Sequence, residues 1–400
     1  MLFSVKKQIY IAFVYFVIAA LFGVVLRLLH AVDLPINYKF IVHTHSHIAL
    51  LGWIYLVITT VLYSLYLNAS VAHKKYKRLF FFTQVTLLGM LLTFPFQGYA
   101  LFSIIFSTLF LVASYWFTWF FIKHAPNVIK TGHSYQTVKM ALGYLVISSI
   151  GPLALGAIIT ILGPLSIWYR LAIYFYLHFL YNGWIQLTLI GLFFYLLEKK
   201  NVILQEKEFK FFFWMMNMGI VFTFLLSTLW TKPALVLNVL GGMGAFMQII
   251  ALLFLMRSLR KKIPDFKNLF TSFQKNVFQT IVFLVVIKII LQLVSAIPYM
   301  ANLAASYLDF TIGYLHLTFL GVVTLSIFFF IDYFKFFKIH STPYYLYLFG
   351  FFSSEALIFY KGLAAWQEIP LWGIYFELLT IASSLIPLSL IMMLFQQRKN

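Results

Sequence analysis

Apolar runs near 20 residues recur twelve times along this chain, at roughly 9–29, 40–66, 79–97, 99–122, 137–162, 167–197, 210–230, 234–256, 277–298, 308–331, 343–362 and 371–395. Such a run spans the hydrocarbon core of a bilayer as a helix, and in lipid every backbone N–H and C=O must be paired within the segment. The sequence therefore predicts an all-α polytopic membrane protein of twelve transmembrane helices. With 63% hydrophobic and 10% charged residues and a mean hydropathy of +0.94, no sizeable soluble domain remains, and residues 1–400 read as a single transmembrane domain. Lys6 and Lys7 precede the first run, which is too long for a signal-peptide core and lacks a small-residue cleavage site, so it reads as the first span. The third and fourth runs, and the seventh and eighth, are separated only by Pro95 to Gly98 and by Thr231 to Pro233, and predict tight hairpins.

A formal charge of +19 and a pI near 9.8 would suggest nucleic acid if the basic side chains shared one face. Instead they sit in short connections, where positive charge sets orientation and meets anionic headgroups; the expected partner is the lipid bilayer, and nucleic acid is excluded. A cytoplasmic N-terminus puts 23 of the 29 Lys and Arg on that side, leaving Arg27, Lys39, Arg170, Lys232 and Lys361 outside and Lys288 within the ninth run. This asymmetry predicts cytoplasmic N- and C-termini in a multi-pass inner (cytoplasmic) membrane protein. The absence of cysteine rules out disulfides, cysteine-held clusters and covalent c-type haem, so any metal must rest on His, carboxylate, Met or Tyr.

The densest chemistry lies at Val42–Tyr63, where His43, His45 and His47 enter an apolar run. His43 and His47, four apart, share a helical face while His45 points elsewhere, so this helix can serve two neighbours. The segments HIALLGWIYL, HFLYNGWIQL and HLTFLGVVTL, from the second, sixth and tenth runs, share His, then Gly five later, then Leu nine later. That spacing of one His every four helices divides the chain into pseudo-repeats of about 1–122, 123–256 and 257–400, and predicts three four-helix arcs around a common interior. His47, His178 and His316 then lie roughly 10, 16 and 12 Å below the starts of their helices. Gly52, Gly183 and Gly321 permit close helix approach or room for a flat ligand. Neutral imidazole is the commonest metal ligand, so the set predicts metal or haem ligation by at least some of its members. His30, His73, His124, His133 and His340 fall in loops or at helix ends and read as structural or interfacial. Asn182 and Gln186 follow His178 on one face, fit to orient a ligand or to join helices. Lys288 with Gln292, Glu355 and Glu377 are the other ionisable candidates for the interior; Lys288 and Glu355 read as an ion pair or, with Glu377, as parts of a proton path.

HTHSHIALLGW resembles the histidine-bearing helix of haem-copper oxidase subunit I, particularly the HVHSGALGW type of the cbb-type oxidases and nitric oxide reductases. The twelve helices, cytoplasmic termini and histidines on the second, sixth and tenth runs are also similar to that superfamily. The early pattern is similar as well to the W-H-A-H-E-M-L-F-G segment of the NnrS family, haem- and copper-containing membrane proteins linked to nitric oxide stress. The resemblance implies a low-spin haem b ligated by His47 or its neighbour His45 together with His316, and a copper or other second metal ligated by His178. The residues add that His43 and His47 could join His178 in a rearranged three-imidazole site while His45 turns to haem. Companion membrane subunits or an electron donor are implied too. Two departures stand out: Phe211–Trp230 contains no histidine where oxygen-reducing members carry a pair, and His178 is followed by Phe179, Leu180 and Tyr181 rather than by the oxidase Pro-Glu-Val-Tyr.

The expectation is a haem-binding membrane protein with redox or nitric-oxide-linked chemistry, not an efficient oxygen reductase. Whether it is a haem-dependent oxidoreductase is left open. Two alternatives compete: a twelve-helix proton-coupled secondary transporter using polar groups near the midplane, and a non-enzymatic haem- or copper-holding stress or assembly factor.

Overall fold

In the computed structural model, the described residues are 4–67, 69–262 and 269–398; they form an all-α polytopic membrane protein, with no strand among them. Lys267 and Lys399, counted above in the charge asymmetry, lie outside these residues. The long rods are α1 (Val5–Leu28), α2 (Tyr38–Tyr66), α3 (Ala69–Gln97), α4 (Leu101–His124), α5 (His133–Leu162) and α6 (Ile167–Lys199). They continue with α7 (Glu206–Thr231), α8 (Leu235–Lys262), α9 (Ser272–Val294), α10 (Leu308–Tyr333), α11 (Ser341–Trp366) and α12 (Tyr375–Arg398).

Eleven of these rods, all but α11, are long and apolar enough to cross a membrane. The run expected at 343–362 does form a continuous 26-residue helix, but its tyrosines, serines, Glu355 and Lys361 dilute its apolar character. Starts and stops follow local chemistry. Asn37 caps α2 by accepting from the N–H groups of Lys39 (3.1 Å) and Phe40 (3.3 Å). Between α3 and α4 the chain reverses at Gly98, whose φ of +59° suits a residue without Cβ; between α7 and α8 it reverses at Lys232, Pro233 and Ala234. Both tight hairpins are thus present.

The chain divides into two compact units, one comprising Met1–Pro126 with Phe319–Asn400 and the other Asn127–Thr318. The pseudo-repeat limit near 122 lies close to one boundary, whereas the limit near 256 falls inside the second unit. In the first unit, α2 is buried along most of its length and packs on α1 and on the C-terminal half of α10. Trp53, 1% exposed, donates to the Thr324 hydroxyl at 3.2 Å and stacks on Phe16 at 4.6 Å. In the second unit, α6 packs on α5 and approaches α7, and α7 and α8 form a closely packed pair.

The repeated glycines work alike in the two units. A Cβ at Gly52 would stand 3.0 Å from Tyr15 Cβ on α1, and one at Gly183 would stand 2.7 Å from Tyr144 Cβ on α5. Gly52 therefore lets α2 lie against a tyrosine of α1, and Gly183 lets α6 lie against one of α5, which is the close helix approach entertained above. Gly183→Ala should lower stability by about 1–3 kcal/mol through overpacking, because Tyr144 Cβ cannot retreat without moving α5. Thermal unfolding in detergent followed by circular dichroism checks this, and an unchanged midpoint would contradict it.

Candidate functional site

In α2, α6 and α10 regular α-helical winding ends at the repeat histidine. His47, His178 and His316 are each the last α-helical residue, and each is followed by a π-helical segment: Ile48–Tyr55, Phe179–Gln186 and Leu317–Val323. The repeated glycine is the fifth residue of every segment. The wider turn shows in side-chain bonding, for Thr324 donates to the carbonyl five residues back, Phe319, at 2.8 Å, where Thr44 and Thr83 donate four back. π-Turns inside α-helices often mark functional positions. Sequence reading finds the His-to-Gly repeat but not its winding, because an extra residue per turn has no compositional mark.

The α2 histidines divide between two neighbours, as their spacing predicted. His45 Nδ1 lies 2.8 Å from the Ala19 carbonyl oxygen of α1. A carbonyl only accepts, so Nδ1 carries the proton and Nε2 the lone pair. Its ring lies over Gly23, where a Cβ would come within 3.1 Å of Cε1. His43 and His47 face the turn between α3 and α4. His47 Nδ1 donates to the His43 carbonyl at 2.9 Å, and its Nε2 accepts from the Tyr99 hydroxyl at 3.1 Å. Phe94 flanks His47 at 4.5 Å, and the Tyr99 ring lies 4.6 Å from that of His43. Tyr99 carried no weight in the sequence, since one Tyr among 25 is no signal.

His178 is placed differently. It is buried, its Nε2–H donates to the Ile220 carbonyl at 2.8 Å, and its Nδ1 accepts from Asn182 at 3.2 Å and lies 3.4 Å from the Ser227 hydroxyl. Both ring nitrogens are therefore engaged within the second unit. The same Asn182 offers its Oδ1 to Lys288 Nζ at 3.0 Å and to Gln186 at 3.2 Å. Lys288, 2% exposed, also donates to Gln292 at 2.6 Å; Gln292 donates to Gln248 at 3.2 Å, and Gln248 to Thr223 at 3.1 Å. Two amide relays thus leave one ammonium. The first ends through His178 at Ile220 O, the second through Thr223 at Gly219 O (2.7 Å), both on α7. Every amide oxygen in the pair points towards the charge, the arrangement that stabilises a buried cation.

Lys288 bonds to the amide oxygens of Asn182 and Gln292 within the second unit. Glu355 is buried in the first unit. Glu377, expected in the interior, is instead exposed in the first turn of α12, where a carboxylate suits the positive end of the helix. His316 is half-buried at the end of the first α-helical stretch of α10. Of the remaining histidines, His133 is buried, stacked on Phe209 at 4.0 Å and 3.3 Å from Glu206.

Among the described residues no three His, Asp or Glu side chains group to hold a metal ion. No protein-family model matches the chain, and no curated protein sequence matches it at a significant level.

Proposed function

We propose that the protein is an inner-membrane haem-binding protein of twelve spans with cytoplasmic termini, in which His45 is an axial ligand of haem b. The observation that carries this reading is the His45–Ala19 hydrogen bond. A backbone carbonyl on Nδ1 fixes tautomer and ring orientation and makes Nε2 the coordinating nitrogen, as in imidazoles that ligate iron. Gly23 supports the fit by allowing the ring to lie against α1. The contact of Trp53 with Thr324, which sets α2 beside α10, agrees with the helix pairing implied by the resemblance to haem-copper oxidase subunit I. Bound there, haem would supply one-electron chemistry and an iron able to take nitric oxide. Ala19 and Gly23 of this chain would hold the ring.

The donor set does not extend to an oxidase-type copper centre on α6, since His178 is held by Ile220, Asn182 and Ser227 and α7 lacks histidine. The proposed chemistry is electron transfer or nitric oxide handling rather than four-electron oxygen reduction.

Protein purified after expression with ample haem should show a Soret band and a b-type pyridine haemochrome. His45→Ala should lower haem content at least about tenfold, given the losses typical when a metal's support is removed. The same assay on His316→Ala reports whether α10 also supplies a ligand. Haem-free parent protein would sink the reading. It would favour the proton-coupled transporter, for which the buried Lys288 relays are the specific support.

A further inference from the structure

We propose that His43, His47 and Tyr99 form a binding site for a divalent copper ion at the end of α2, separate from any haem at His45. The inference is independent of the haem reading and rests on three observations within the first unit.

The donors converge. His43 and His47, at i and i+4, lie on one face of α2, a spacing at which two helical imidazoles can share a metal. Tyr99 comes from the α3–α4 turn and touches both rings.

The spacing suits coordination. Two ligand atoms, each about 2.0–2.1 Å from one metal, stand roughly 3 Å apart when they subtend an angle near a right angle. Tyr99 Oη and His47 Nε2 are 3.1 Å apart. An ion can replace the bridging proton without displacing either group: the phenol O–H breaks, the phenolate oxygen and the Nε2 lone pair bind the ion, and the proton leaves to solvent. His47 is already in the tautomer needed, because Nδ1 is tied to the His43 carbonyl.

The site is pre-organised and accessible. Tyr99 is held in a turn whose Ala100 N–H donates to Ser103 Oγ at 2.9 Å and whose Gly98 sits against Phe40, yet it is 51% exposed. Phe94 is completely buried behind His47. An ion could therefore reach the donors from solvent without crossing the helix bundle. Two imidazoles and one phenolate, with water in the remaining position, make a mixed N,O set suited to Cu(II) rather than to soft Cu(I) or to hard Mg(II).

The test is copper titration of the chelator-stripped full-length protein in detergent, read by metal analysis, electron paramagnetic resonance and visible absorption. One Cu(II) per chain is expected, with axial nitrogen hyperfine structure and a phenolate-to-copper charge-transfer band. Tyr99→Phe should abolish that band and weaken binding about tenfold or more; His47→Ala should remove the stoichiometric ion. His124→Gln, whose ring bonds its own helix at Phe120 O, should bind as the parent does. Size-exclusion profile and helical content establish that each variant is folded. A folded parent without a stoichiometric ion, or a charge-transfer band surviving in Tyr99→Phe, would overturn the proposal. His45→Ala separates the two readings: it should lose haem and keep copper, so copper without haem defeats only the haem assignment, and haem without copper only this one.

Discussion

Asn182→Leu should cost about 3 kcal/mol of stability, more than Lys288→Met at the other end of the same hydrogen bond. Asn182 serves three partners: it accepts from Lys288 (3.0 Å) and Gln186 (3.2 Å) and donates to His178 (3.2 Å). Leucine would leave a buried ammonium with Gln292 alone and His178 Nδ1 with only the distant Ser227 hydroxyl. A hydrogen bond to a charged group is worth about 1.5–3 kcal/mol and a neutral one about 1, while intramembrane bonds average below those in water because unfolded spans find other partners. Lys288→Met removes the charge itself. Asn182 Oδ1 keeps Gln186 and Gln292 Oε1 keeps Tyr314 at 3.4 Å, so a cost of about 1–2 kcal/mol is expected. The double variant should then be less damaged than the sum, with a coupling above about 1 kcal/mol. Chemical unfolding in detergent measures all three, and strict additivity would show that the relay does not act as a unit.

Trp53→Ala should be comparably severe, at about 3 kcal/mol. In water such a truncation costs about 3–5 kcal/mol; between spans the transfer contribution shrinks, because lipid is as apolar as the core, and the lost packing dominates. That packing is dense. Trp53 stacks on Phe16, meets Phe13 edge-on at 4.9 Å and Phe328 at 6.1 Å, and bonds Thr324. Trp53→Phe should recover over half of the loss, since it restores the stack and forfeits one hydrogen bond worth about 1 kcal/mol. Equal losses in the two variants would place the stability in the indole N–H rather than in the ring.

The spans were legible because lipid imposes one rule on length and apolarity, and α11 falls short of the other eleven in apolarity because Tyr344, Ser354, Glu355 and Lys361 interrupt it. The division of His43 and His47 from His45 also followed from the sequence, since 100° per residue decides a face before any partner is known. Partners were not legible. Lys288 stands out as an ionisable group of the interior because charge is visible in a string of letters, whereas the amides of Asn182, Gln292 and Gln248 come from three helices and only their assembly shows them aligned. His178 matched its two repeat mates in spacing and depth, yet its neighbours on α7, Ile220 and Ser227, give it a different chemistry. Tyr99 was invisible for the opposite reason: it lies in a turn, outside the helical periodicity that located every other candidate.

The π-helical segments act as phase adjusters in the shafts that bear the histidines. Each lies between the half of a helix ending in histidine and the half that packs in the apolar layer below, so the two halves keep separate angular settings around one axis. A further one-residue insertion within Ile48–Tyr55, whose wide turns already hold the extra residue, would turn one half against the other by roughly 100°, taking Trp53 out of line with Thr324 or His45 out of line with Ala19. Point substitutions in these segments can be absorbed locally, but further insertions cannot. The three spans are thus geared to a residue count as well as to a residue pattern.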